Sequence, residues 1–259
     1  MTQKILAHLN SIAAERRVRL LYACETGSRG WGFASPDSDW DVRFIFAHPQ
    51  DSYLSVNEPQ DTITRMLDDE GDVLDFNGWD LRKSLHHLRK SNATPFEWLQ
   101  SPIIYFETPG FREELWAISH QYFAPRASVH HYLGICHNAI KTGITGNSIK
   151  IKKYFYILRP LLAAMWAADK HTVPPMEFEK LLPQIVNRPA LMVAIRQLLS
   201  EKEVAAEGHL IPLVPVIQEF IAAEMDRCRA VASEMEGLQP DVEPLNLFFR
   251  KMLMKVDKS

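Results

Sequence analysis

GSRGWGFASPDSDWDVRFIF, Gly27 to Phe46, opens on glycines and a serine and then sets Asp39 and Asp41 two residues apart at the head of an apolar run. Just before it, VRLLYAC, Val18 to Cys24, is a continuous apolar segment of strand length. Strand, glycine loop and second strand (DWDVRFIFA, Asp39 to Ala47) therefore follow one another directly, and the rest of the reading works outward from them. On the N-terminal side Ile5, Leu6, Leu9, Ile12 and Ala13 keep helical spacing. On the other side DTITRML around Ile63 predicts a third strand and DVLDFNGW around Leu74 a fourth, joined by short Pro-, Asp-, Asn- and Gly-rich connections.

From Asp80 the period changes. DLRKSLHHLRKS puts Leu81, Leu85 and Leu88 on one helical face, and only IIYF, Ile103 to Phe106, still reads as extended. Later helices are predicted at about 111–122, 128–142, 148–169, 176–183, 189–200, 212–236 and 243–255, with LNLFFRKMLM as an amphipathic docking helix. The predicted fold class is α/β: a small mixed sheet over residues 1–107, then an all-helical domain over 108–259 that shares a cleft with it.

A chain of 259 residues with 46% hydrophobic composition buries a substantial core. Its formal net charge of -3 excludes the global basic excess that holds nucleic acid nonspecifically, so any polyanion site is local. Cys24, Cys136 and Cys228 are odd in number and widely separated, which predicts neither zinc nor a disulfide framework and fits a reducing cytosol. The first residues, MTQKILAHLNSIAAERR, lack an apolar run of signal-peptide length, and no stretch reads as a membrane span; a cytoplasmic location is the expectation.

On a strand, side chains alternate, so Asp39 and Asp41 point one way and Trp40 and Val42 the other. Two neighbouring carboxylates repel unless a cation intervenes, and Mg²⁺ is the usual partner of hard oxygen ligands. Asp75, flanked by Leu74 and Phe76, supplies a third acid; if its strand lies beside that of Asp41, the three can hold two magnesium ions. Asp72, read as sharing the face of Asp75, is the competing candidate; the apolar neighbours of Asp75 favour the latter. Read as turn and edge residues, the same aspartates simply face water. The loop T-G-S-R-G-W-G favours the metal reading: Gly27 lets a ligand approach the backbone, Ser28 adds a hydroxyl, and Arg29 has the charge for a phosphate or a surface ion pair.

Gly27-Ser28, then Asp39-Trp40-Asp41, then Asp75 resembles the nucleotidyltransferase superfamily of DNA polymerase beta and kanamycin nucleotidyltransferase, with its hG[GS]…DxD…third-acid pattern. GSRGWGFASPDSDWDVRFIF, LDFNGWDLRKSL, KSNATPFEWLQSPIIY and KKYFYILRPLLAAMW, over roughly residues 24 to 168, are similar to the branch that includes RNA-ligase-associated proteins of RNA repair clusters. The resemblance implies transfer of a nucleoside monophosphate from a nucleoside triphosphate, ATP by expectation, to an acceptor hydroxyl, with Mg²⁺ or Mn²⁺ and release of pyrophosphate. It implies that Asp39 and Asp41 bind the ions, that Asp75 binds metal and helps activate the acceptor, and that Gly27 and Ser28 hold the triphosphate. The favoured acceptor is an RNA end, with a protein or small-molecule hydroxyl as alternative. A nucleotide-binding regulator or antitoxin without turnover is the rival class.

A triphosphate needs further cations. Between Lys141 and Ala168 stand Lys141, Lys150, Lys152, Lys153 and Arg159 without one Asp or Glu. Lys152, Tyr156 and Arg159, at i, i+4 and i+7, share a helical face, with Lys153 and Tyr154 beside it. Lys152, Lys153, Tyr154 and Arg159 are the expected nucleotide contacts, and Pro160 is expected to bend or interrupt the helix. Asn92 reads as a helix cap, Trp98 as a packed side chain, and His130, His131 and His137 as structural or exposed.

Overall fold

The structure, a computed structural model, describes residues 1–69, 71–204 and 209–256. It divides into two compact units: Met1–Gly30 with Asp39–Tyr122 and the segment from Gln239 on, and Trp31–Ser38 with Phe123–Leu238. The boundary expected after residue 107 thus falls after Tyr122, and the last segment returns to the first unit.

The first unit is built on a mixed sheet in the order β3-β4-β2-β1-β5, from β1 (Arg19–Glu25), β2 (Trp40–Ala47), β3 (Thr62–Asp69), β4 (Asp72–Asp80) and β5 (Ile104–Glu107). β2 and β4 run parallel, with Asp41 opposite Asp75; the other pairs are antiparallel. Alternation sends Val42, Phe44, Phe46, Leu74 and Phe76 to one face. There they form a core with Ile5, Leu9 and Ile12 of α1 (Thr2–Arg16). Each such side chain contributes about 1.5–3 kcal/mol by leaving water. Gly78, in register with Phe44, makes room for that ring: a β-carbon on Gly78 would come within 2.1 Å of it. The opposite face of β2 and β4 carries Asp41, Arg43, Asp75 and Asn77, which is where polar chemistry can sit.

Short helices flank this sheet: α2 (Gly27–Trp31), α3 (Gln50–Tyr53), α4 (Leu81–Arg89), α5 (Ala93–Gln100) and α6 (Phe111–Ser119). Asp80 caps α4, accepting from the Arg82 amide at 2.8 Å, and Asn92 caps α5, accepting from Thr94 at 2.9 Å. Trp98 is buried, its ring 4.7 Å from that of Trp79.

In the second unit α7 (Pro125–Gly143) packs along α8 (Ile151–Lys170), which is joined to it through a hairpin of β6 (Ile144–Thr145) and β7 (Ser148–Lys150). β8 (Leu210–Pro212) pairs with β7, and α9 (Phe178–Leu181), α10 (Pro189–Val204) and α11 (Pro215–Ser233) complete the unit. α8 is not interrupted at Pro160. An internal proline costs roughly 3 kcal/mol, whereas Ile157, Leu158, Leu161 and Leu162 are all buried around it, each contributing about 1.5–3 kcal/mol; packing wins. The chain then closes the first unit with α12 (Glu243–Val256), whose Phe248 ring lies 5.6 Å from Phe111 and whose Phe249 ring lies 5.2 Å from Tyr53. The amphipathic helix expected at the end of the sequence therefore docks on its own chain. Among the described residues no helix is long and apolar enough to cross a membrane.

Candidate active site

The parallel register of β2 and β4 places Asp41 beside Asp75, and a third residue joins them. Arg43 Nη2 donates to Asp41 Oδ1 and to Asp75 Oδ2, each at 2.9 Å. Its Nη1 donates to the backbone oxygens of Asp75, at 2.7 Å, and Val42, at 3.2 Å. Charge-assisted bonds of this kind are about twice as strong as neutral ones, and here they fix the guanidinium between the two carboxylates. Arg43 follows Asp41 by two residues, so the alternation that aligned Asp39 with Asp41 marks it in the sequence as well.

The backbone of Asp41 is held from both sides. Its amide donates to Glu25 Oε1 at 2.7 Å, and its carbonyl accepts from the Thr26 amide at 2.9 Å and the Thr26 hydroxyl at 3.1 Å. Glu25 is fully buried at the end of β1 and accepts from the Tyr105 hydroxyl of β5 at 2.6 Å. Burial pushes its carboxyl up to about 7, against the lowering effect of the bonds from Tyr105 and the Asp41 amide. A lone acid closing an apolar strand is the signal in the sequence for such a residue.

Gly27 has φ 55, and a β-carbon there would sit 1.8 Å from Asp41 Oδ2. Its missing side chain therefore admits the Asp41 carboxylate, a different task from the close approach to phosphate that the loop motif predicts. Ser28 is buried beside it. Arg29 is partly exposed; its Nε donates to the Asp39 backbone oxygen at 3.2 Å and its guanidinium lies 3.8 Å from the Trp40 ring centroid. Asp39 itself precedes β2. Asp72 stands three residues before Asp75, hence on the other face of β4, and its Oδ1 accepts from Trp40 Nε1 at 3.3 Å; it is no longer a competitor for the third position. Asn77, opposite Arg43 in the register, has a buried Oδ1 with no hydrogen-bond partner among the described residues.

In the second unit, Lys152 and Lys153 are partly exposed on α8, their ammonium groups 6.0 and 5.8 Å from the Tyr156 ring centroid. Tyr154 and Arg159, expected beside them as nucleotide contacts, are buried instead. The Tyr154 hydroxyl accepts from the Val214 amide at 2.7 Å and from Gln218 Nε2 at 3.1 Å. Arg159 donates through Nε and Nη2 to the Met176 carbonyl at 3.3 and 3.2 Å, with its guanidinium 5.0 Å from the Trp31 ring. An amphipathic reading of α8 had one polar face; the helix is enclosed on more than that, and these two polar groups are spent inside the helical core.

The donor chemistry, carboxylate oxygens only, suits a hard divalent ion, which needs one or two protein carboxylates plus water and phosphate. Among the described residues no group of three or more His, Cys, Asp or Glu side chains is arranged to hold a metal ion; Arg43 lies between the carboxylates of Asp41 and Asp75.

The chain is 39% identical over 242 residues to a Bacillus subtilis (strain 168) protein, "Uncharacterized protein YcgL", covering 93% of this chain and 92% of that one. A crystal structure of a nucleotidyltransferase-like protein from Exiguobacterium sibiricum 255-15 aligns with 96% of this chain and 79% of that one, at 11% identity and a TM-score of 0.33, too loose a likeness to argue from. The likeness that the loop and the aspartates carry in the sequence extends over nearly the whole chain: residues 1–251 match the model of the RNA repair pathway DNA polymerase beta family, RlaP, and the chain belongs to that nucleotidyltransferase-like family.

Proposed function

We propose that this chain transfers a nucleoside monophosphate from a nucleoside triphosphate, ATP in the first instance, to the hydroxyl of an RNA end. The observation that carries the reading is the Asp41–Arg43–Asp75 cluster on the polar face of the sheet, with the Asp41 carboxylate lodged against Gly27. The acceptor oxygen bonds to the α-phosphorus, the bond from that phosphorus to the β-bridging oxygen breaks, and pyrophosphate leaves with the electron pair. Asp75, with a side chain 32% exposed against 20% for Asp41, is the carboxylate more open to an acceptor and takes its proton. Gly27, Ser28 and Arg29 hold the triphosphate, and Lys152 and Lys153 are further phosphate ligands. A divalent ion, Mg²⁺ or Mn²⁺, bound by Asp39 and Asp41 would neutralise phosphate charge.

One observation favours a second reading, a nucleotide-binding regulator without turnover: the carboxylates are already partly neutralised from within by Arg43. Incubation with α-labelled nucleoside triphosphates, Mg²⁺ or Mn²⁺ and an RNA carrying a free terminal hydroxyl separates the two. Pyrophosphate release with label on the RNA, both falling at least a hundredfold in Asp41→Asn, supports transfer. Binding without release supports the regulator, and label on protein or a small molecule instead of RNA reassigns the acceptor.

A further inference from the structure

We propose that Arg43 is a resident cation of the acidic site, holding Asp41 and Asp75 together and limiting the nucleotide-free site to a single divalent ion. The inference rests on the reading of these acids as a metal site. A centre with two ions would need a carboxylate-bridged position where Asp41 and Asp75 converge. That position is taken by Nη2 of Arg43, equidistant from both carboxylates.

The guanidinium is not a loosely placed surface group. Its other terminal nitrogen is bonded to two backbone oxygens, one on β2 and one on β4, and its side chain is only 18% exposed. An incoming ion would have to break four hydrogen bonds to displace it, and backbone oxygens do not turn away as carboxylates can. Asp75 is then a carboxylate fixed by an arginine, free to serve as a base without being an ion ligand, and Arg43 acts as a positioning residue for it.

The test counts ions directly. Mn²⁺ is titrated into the full-length, nucleotide-free protein and free Mn²⁺ is followed by electron paramagnetic resonance. One Mn²⁺ per wild-type chain is expected. Arg43→Met, with the bridging position vacated, is expected to bind a second Mn²⁺ or to bind at least tenfold more tightly. Its thermal midpoint should also rise with MgCl₂, beyond the rise seen at equal ionic strength of NaCl, by more than that of the wild type does. Two Mn²⁺ ions on the wild type overturn the role of Arg43 and leave the transferase reading intact, as do identical Mn²⁺ isotherms for a folded Arg43→Met. Should that variant not fold, the wild-type count decides alone. No Mn²⁺ on either protein removes the metal reading of the acids and this inference with it.

Discussion

The Oδ2 atom of Asp41 occupies the place where a side chain on Gly27 would begin: a β-carbon there would lie 1.8 Å from it. Loop and strand are thereby interlocked. Neither can be repositioned without the other, and the Thr26 bonds to the Asp41 carbonyl fasten the same pair of segments one residue earlier.

Gly27→Ala tests that interlock. The left-handed φ of 55 costs a β-carbon about 1–2 kcal/mol, and the overlap with the carboxylate can be relieved only by moving Asp41. Urea unfolding should show a loss of about 2 kcal/mol or more, and nucleotide transfer should fall at least a hundredfold. A variant with undiminished transfer would show that Asp41 need not stand where it does.

Glu25 makes stability depend on pH. Its folded pKa of about 7 lies above the ordinary value of 4.5, so between the two the folded protein binds more protons than the unfolded chain. Its favourable contribution is complete below about pH 4.5 and is lost as pH rises to about 7, a change on the order of 3 kcal/mol. Urea midpoints measured across that window in EDTA should decline for the wild type and decline less for Glu25→Gln. Parallel profiles would mean that the carboxyl is not perturbed.

Lys153→Ala and Tyr154→Phe should separate two neighbours on α8. The lysine change is expected to weaken triphosphate binding several-fold in a calorimetric titration. The tyrosine change deletes a buried hydroxyl that serves Val214 and Gln218, so it should cost about 1 kcal/mol of stability and leave nucleotide affinity unaltered. Weaker binding in Tyr154→Phe would return that residue to the ligand.

The three cysteines are all free and buried. Burial pushes the thiols of Cys24 and Cys136 up strongly and that of Cys228 to about 11, so few are thiolates at pH 8. A colorimetric thiol reagent should find none within minutes in the native protein and all three after unfolding. Prompt reaction of one would reveal an opening of the core around it.

The strands of the sheet and the long helices were legible because β1 is one continuous apolar run, β4 alternates throughout, and α7, α8 and α11 run for 19, 20 and 19 residues. Asp41 and Asp75 could be paired because each lies in an alternating run. What escaped has physical causes. β6, β7 and β8 are two or three residues long and carry no period at all. Alternation puts Arg43 on the face of Asp41, but its role between the two carboxylates emerges only once Asp75 on the parallel strand is in register with Asp41. Tyr154 and Arg159 are buried with partners of their own, which the sequence could not show, because a polar atom buried with its own partners looks, in sequence, the same as one awaiting a ligand. The return of α12 to the first unit rests on aromatic contacts between residues more than 130 apart, which no local pattern encodes.

That return bears on how the protein is made. Segments 39–122 leave the ribosome early, yet the Tyr122 hydroxyl bonds to the Asp241 carbonyl and Glu114 pairs with Lys251. The sheet-bearing unit thus waits through the synthesis of more than a hundred intervening residues before its last helix can dock. A nascent chain halted anywhere before residue 243 lacks Phe248 and Phe249, the rings of α12 that meet Phe111 and Tyr53, and the apolar surface they would cover is one a chaperone can hold.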